Sequence, residues 1–160
     1  MVAMFKILDE DELEMIKSDA DAVEELLFPE DVDDPFEGQH GLDKSWHSLH
    51  YLLTGSAEPD GTPAGDAILG GTPVGGDLGY GPARLIDHQQ VLRVAAALQE
   101  ADLAAAYANL DRAAASAAKL YCGFEFSQDE QEYLRGYFDT LLEVYSTAAA
   151  DGTAVLAYLV

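Results

Sequence analysis

The sequence predicts a mixed α+β fold of the α/β kind. The expectation is a single compact domain over residues 1–160, with a small mixed sheet of three or four short strands flanked by helices. Three observations predict it. Short apolar runs at residues 2–8, 82–86 and 153–160 have the length and composition of strands. Between them lie segments with apolar residues at helical spacing, several of them opened by an Asp or Ser in a capping position. The chain has 160 residues, the size of one domain, and can bury a core without a disulfide or structural metal.

Taken in order, residues 2–8 carry Lys6 as their one charge and read as the first strand. Asp9 lies three residues before Glu12, a capping-box spacing that starts a helix through Lys17. Ser18 or Asp19 caps a second helix, with Val23, Leu26 and Leu27 on one face. Residues 28–40 hold Pro29, Pro35 and Gly38 and read as a loop. Residues 43–54 form the central helix, with Asp43 as N-cap and Gly55 at the left-handed stop. Residues 56–81 are so rich in Gly and Pro that a long loop is expected, interrupted at Ala67-Ile68-Leu69 by either a strand or a helical turn. After the strand at 82–86, Asp87 caps a helix to Gln99 with Val91, Val94, Ala95 and Leu98 inward. Ala-rich helices at 102–107 and 110–120 precede a capping box at Ser127 and Glu130. That box opens the longest helix, with Leu134, Phe138, Leu141, Leu142 and Tyr145 at helical spacing. Asp151-Gly152 is a turn into the last strand.

The net charge of −22 argues against binding nucleic acid through phosphate neutralisation, which needs clustered Lys and Arg. No apolar stretch is long enough to span a membrane, and the N-terminal residues do not resemble a signal peptide. Cys122 is the one cysteine, so no intrachain disulfide forms, and a cytoplasmic location is expected. Residues 9–37 hold 14 acidic residues against one lysine, a local balance of −13. That run is either a solvated face that aids solubility or a docking face for a basic protein partner.

Chemistry-bearing residues concentrate between Gly41 and Asp87, which hold the only Trp and two of the four His. On a helical wheel Leu42, Trp46, Leu49 and Leu53 share one face, and Asp43, His47, His50 and Thr54 run along its edge. His50 is either a hydrogen-bonded core residue or a group at a pocket rim, while His47 is expected to be exposed. Two histidines at this spacing do not make a zinc site, for which local spacing dictates no third ligand, so no metal and no cofactor are expected. The run Gly70-Gly71-Thr72-Pro73-Val74-Gly75-Gly76 lacks the Lys of a phosphate loop. It is either a backbone that turns sharply and packs closely or a loop around a ligand. Arg84 serves either an internal carboxylate such as Asp66 or Asp77 or an anionic ligand. Cys122 reads as a small apolar filler rather than a nucleophile.

The run Trp46-His47-Ser48-Leu49-His50-Tyr51-Leu52-Leu53-Thr54-Gly55 resembles the hallmark of the bacterial YfbM-like family, a domain of unknown function. Members read Trp, two variable residues, an apolar residue, His, an aromatic residue and then Leu-Thr-Gly. Ala67-Ile68-Leu69-Gly70-Gly71 and Gly79-Tyr80-Gly81-Pro82-Ala83-Arg84 are similar to the family's next two segments. The resemblance spans nearly the whole chain and implies a compact α/β domain, but no reaction. It carries Trp46, His50, Thr54, Gly55, Gly70, Gly71, Tyr80 and Arg84 as motif positions. Where relatives often read Tyr-Pro, this chain has Tyr121-Cys122.

Two functional expectations follow. One is a small-molecule-binding or catalytic cleft between the 43–55 helix and the 56–86 segment. Its ligand-binding residues would be Trp46, His50, Thr54, Tyr80 and Arg84, with His50 the best catalytic candidate. The alternative is a non-enzymatic acidic interaction protein, an inhibitor or immunity-type partner of a basic protein.

Overall fold

The computed structural model describes residues 1–30 and 32–160; Asp31, one of the acidic residues counted in the 9–37 run, lies outside the described residues. Five strands form one sheet in the order β2-β1-β5-β4-β3, with β1 Ala3–Ile7, β2 His40–Gly41, β3 Thr72–Asp77, β4 Pro82–Ile86 and β5 Val155–Leu159. The sheet corrects the sequence expectation twice. It has five strands rather than three or four, and every pairing is antiparallel rather than mixed. The two extra strands are β2, only two residues long, and β3, which carries Pro73, Gly75 and Gly76. Both sit at the sheet's edges, where a strand tolerates Pro and Gly that an interior position would not.

The other elements are α1 Glu10–Ser18, α2 Ala22–Leu27, α3 Trp46–Thr54, α4 Pro63–Leu69, α5 His88–Glu100, α6 Leu103–Ala108, α7 Arg112–Ala117 and α8 Gln128–Asp151. A short 3-10 turn, Asp43–Ser45, leads into α3. Strand side chains alternate between two faces. Phe5, Ile86, Val155 and Ala157 pack with Trp46, Leu49, Ile68, Val91, Leu141 and Tyr145 under the larger helical layer. Leu156, Tyr158 and Ala83 point the other way and pack with Ile16, Val23 and Leu27 of α1 and α2. The sheet is therefore the middle of three layers, with a core on each side. Lys6 emerges on the α1 face, where its ammonium lies 3.0 Å from Glu12.

Several caps are where the sequence places them. Asp9 and Asp87 form full capping boxes with Glu12 and Gln90. Gly55 and Gly152 close α3 and α8 in the left-handed conformation. Ser127 caps α8, but Glu130 does not return the bond to it. The Glu130 carboxylate instead accepts the N–H groups of Glu125 and Phe126 and the Tyr107 hydroxyl. Asp43 is also diverted. It adopts φ 47° in the 3-10 turn, and its carboxylate accepts the Tyr133 hydroxyl of α8 at 3.0 Å.

The expected long loop at 56–81 is largely ordered as α4 and β3. Thr62 caps α4 through the Gly65 N–H, and Pro63 takes the first turn, where its missing N–H costs nothing. Ala67-Ile68-Leu69 is thus helical, with Ala67 and Ile68 in the core. Gly75 lies in the irregular stretch of β3 between Val74 and Asp77, at φ 76°. A Cβ there would meet the Val23 side chain at 2.9 Å, so glycine lets α2 lie against β3. The turn into β4 is held by Asp77, whose carboxylate accepts the N–H groups of Gly79 and Gly81. Those two bonds hold its pKa below the usual carboxylate range.

Candidate functional site

Of the four polar residues that the sequence places along one edge, His47, His50 and Thr54 lie on α3 and Asp43 in the 3-10 turn before it. The structure gives each a backbone partner or a tertiary one. His50 is fully buried, and its Nε2 donates to the Glu58 carbonyl at 3.1 Å. Its Nδ1 is buried with no partner. Thr54 donates to the His50 carbonyl at 2.8 Å and accepts the Ser56 N–H. His47 is not exposed as expected. Its Nδ1 accepts the Tyr121 N–H at 2.9 Å and its Nε2 lies 2.8 Å from the Ala57 carbonyl. A backbone N–H only donates and a carbonyl only accepts, so these partners fix His47 as the neutral Nε2–H tautomer. With both His47 nitrogens and one of His50 engaged by backbone, the pair has no shared metal-binding edge. These residues tie residues 56–58 and Tyr121 to α3.

Arg84 is placed by register. It pairs with Ala157, which pairs with Phe5, so its side chain rises on the face covered by α3 and α4. There its Nε donates to the Gly70 carbonyl at 2.8 Å and its Nη2 to the Gly71 carbonyl at 3.2 Å. Neither Asp66 nor Asp77 is its partner. Among the described residues, no carboxylate lies within ion-pair distance of the guanidinium. Gly71 makes the arrangement accessible. At φ 89°, its missing Cβ would sit 2.8 Å from the Leu85 carbonyl. The glycine pair therefore packs closely and turns sharply, and its carbonyls orient Arg84.

Above Arg84 lies a pocket of about 290 Å³. Trp46, Ile68 and Leu69 form its apolar wall, and Tyr80, Glu58 and Arg84 are among its polar lining residues. Trp46 is nearly buried and stacks in parallel on His47, with ring centroids 4.5 Å apart. Its indole N–H is buried without a partner. Tyr80 is 55% exposed, at the end of the β3–β4 turn. Of the five residues that the sequence singles out, Trp46, Tyr80 and Arg84 line this pocket. His50 and Thr54 do not; they lie behind it, holding the 56–58 segment whose Ala57 and Glu58 form part of the rim.

At least three larger depressions exist among the described residues. One of about 590 Å³ lies between α6 and α8, around Leu103, Tyr107, Leu134 and Phe138. Another of about 470 Å³ lies beside Cys122. The smallest of these, of about 360 Å³, lies around Leu53, Ala97 and Ala106. Volume alone does not select a site; fixed polar groups that converge with free bonding capacity do. In the first, the Tyr107 hydroxyl is spent on Glu130. In the second, Ser45, Ser48 and Glu130 are all satisfied internally. Cys122 is exposed at φ 63°, not the buried filler the sequence suggests. Sequence reasoning gave Ser48 no role and Glu130 only a capping one, yet both hold the 121–126 segment in place. Their partners are backbone groups and Tyr107, and no spacing rule names such partners.

Comparison with known proteins agrees with this architecture. The crystal structure of YfbM from Escherichia coli, a protein of unknown function, is similar over 100% of both chains, with a TM-score of 0.67 at 19% identity. At that identity the likeness speaks for the fold. No curated protein matches the chain. The family model of DUF1877, described as a domain of unknown function, matches residues 1–158, so the chain belongs to this YfbM-like family.

Proposed function

We propose that the protein binds a small molecule in the pocket formed by Trp46, Ile68, Leu69, Tyr80 and Arg84. One observation carries this reading. In a chain of net charge −22, a half-buried arginine is pinned by two carbonyls, lines a pocket, and has no carboxylate partner among the described residues. Arg93, Arg112 and Arg135 also lack a carboxylate partner among the described residues but are exposed; Arg84 differs in being half-buried and fixed by carbonyls, with part of its fork left for something else. His50 and Thr54 support the rim rather than touch the ligand. The reading takes residues 1–160 as one cytoplasmic domain. It is supported by the span of the family match and by the lack, among the described residues, of any helix long and apolar enough to cross a membrane.

The test is a thermal-shift screen against a mixed metabolite library, run on wild type and on Tyr80→Ala. Tyr80 is exposed, so its replacement leaves the core intact. A ligand at one hundred times its dissociation constant adds about 2.7 kcal/mol of stability. The expected result is a hit whose shift shrinks in Tyr80→Ala. A library without hits, or hits indifferent to Tyr80, overturns the reading.

A second reading is an acidic interaction face for a basic protein. It is supported by α1, α2 and the residues after them, where Met15, Val32 and Phe36 are exposed amid carboxylates. Apolar groups ringed by one sign of charge suit a partner of opposite charge. Capture of a basic protein at low salt and its loss as salt rises is the expected outcome; capture of none removes this reading.

A further inference from the structure

We propose that the ligand of the Trp46–Arg84 pocket is a small monocarboxylic acid with an apolar body; this inference rests on the binding reading above. The argument begins at the guanidinium. Gly70 and Gly71 take its Nε–H and one Nη2 N–H, along one side of the planar fork. The opposite end, at Nη1 and the outer Nη2 N–H, has no protein partner among the described residues. That end is a pair of parallel donors, the geometry that receives a carboxylate in two-point fashion. Because the two carbonyls already fix the side chain, little rotamer freedom remains to be lost on binding.

The surroundings set the charge and the body of the ligand. Gly70 and Gly71 lie at the C-terminal end of α4, whose carbonyls carry partial negative charge and offset part of the arginine's own. Glu58 stands on the same rim, and the whole molecule repels anions. A site with one partly compensated cation, faced by a carboxylate, suits a single negative charge better than the double charge of a phosphate monoester. The apolar part of the wall includes Trp46, Ile68, Leu69 and Pro82, which asks for an apolar group. A volume of about 290 Å³ is at the small end for ligand pockets, which confines that group to the size of one ring or a short chain.

Trp46 is the only tryptophan and forms part of the wall, so its fluorescence reports occupancy directly. The experiment titrates the full chain with phenylacetate, with its neutral isostere phenylacetamide, and with phenyl phosphate. The expected result is saturable change with phenylacetate, and binding weaker by about tenfold or more for the amide, which loses a charge-assisted pair. Phenyl phosphate binds no tighter than phenylacetate. Glu58→Gln, an exposed change, tightens phenylacetate by removing the opposing charge. Arg84→Lys, which keeps the charge but not the fork, weakens it while the amide is unaffected. Equal binding of acid and amide overturns the carboxylate assignment and leaves the pocket standing, as does tighter phenyl phosphate. Failure of all three probes also overturns this assignment. If the metabolite library then still gives a Tyr80-dependent hit, the pocket survives; if it does not, both fall.

Discussion

At the residue scale, Trp46 and His50 sit one turn apart on α3 and are both buried, Trp46 with an edge on the pocket, yet they do different work. Trp46 fills space between the helical layer and the pocket wall. Trp46→Ala is expected to cost roughly 3–5 kcal/mol in chemical denaturation, the range for emptying a large aromatic site. His50 fills space and also donates one hydrogen bond, to the Glu58 carbonyl. That carbonyl also accepts the Ser56 hydroxyl at 2.9 Å, so it is not orphaned when the imidazole goes. The other ring nitrogen is buried and unpaired, which is itself a cost. His50→Ala is therefore expected to lose roughly 2–5 kcal/mol, as a buried large-to-small change does. His50→Leu, similar in volume, is expected to lose less than about 1.5 kcal/mol. A leucine variant as unstable as the alanine one would show that the hydrogen bond, not the packing, holds the site together.

At the scale of elements, the 3-10 turn and α8 are joined by the Tyr133–Asp43 bond. Burial, then the Asp43 carboxylate, push the Tyr133 phenol up to about 12 from its usual 10. The unfolded chain releases that proton near pH 10 and the folded one near 12. The bond's contribution is thus complete below pH 10 and lost as pH rises toward 12. Over that window wild type is expected to lose more stability than Tyr133→Phe, as read from urea midpoints at stepped pH. Parallel curves would remove the bond's role. The glycine turns offer a second contrast. Gly71 and Gly79 both have positive φ, but only at Gly71 would a Cβ meet another backbone group. Gly71→Ala is expected to cost roughly 1–3 kcal/mol and Gly79→Ala less, as read from melting temperatures.

These elements also show what a sequence can and cannot announce. Asp9, Gly55 and Asp87 act on neighbours a few residues away, so their spacing reveals them. Asp43 has the same local signature as Asp87, yet it is claimed by Tyr133, 90 residues on. Glu130 leaves its capping box for backbone groups and a tyrosine. Arg84 was recognised as unusual, but its partners are carbonyls, which every residue owns and no residue type advertises. β3 was missed because its strand character comes from pairing with β4 at an edge, not from its own Gly- and Pro-rich composition. At the pocket, Trp46 and Arg84 stand out as scarce residue types, and Tyr80 through the Gly79-Tyr80-Gly81-Pro82 segment of the family resemblance. That His50 and Thr54 lie behind the wall follows from their bonds to residues 56–58 and to the helix's own backbone, which no local spacing encodes.

At the scale of the whole molecule, β5 is the strand on which both cores depend. It pairs with β1 on one side and β4 on the other, sends Val155 and Ala157 into one core and sends Leu156 and Tyr158 into the other. Without it, the β1–β2 pair and the β3–β4 hairpin have no contact through the sheet. The chain separating β5 from β4 comprises α5, α6, α7 and α8, and that separating it from β1 nearly the entire sequence. In kinetic terms, the centre of this sheet is its highest contact-order feature. The entropy of closing those loops must be met before either pairing returns anything. The helical layer and the hairpin, built from local contacts, are expected to form first, and β5 to dock last, as a single step that joins two independent halves. Leu156→Ala, at a fully buried position, is expected to destabilise by roughly 2–5 kcal/mol. The loss should fall almost wholly on the unfolding rate, with folding little changed. A folding limb slowed in proportion would place β5 in the nucleus instead. In the first case the protein's lifetime in the folded state is set by one short strand, however stable the helices around it are.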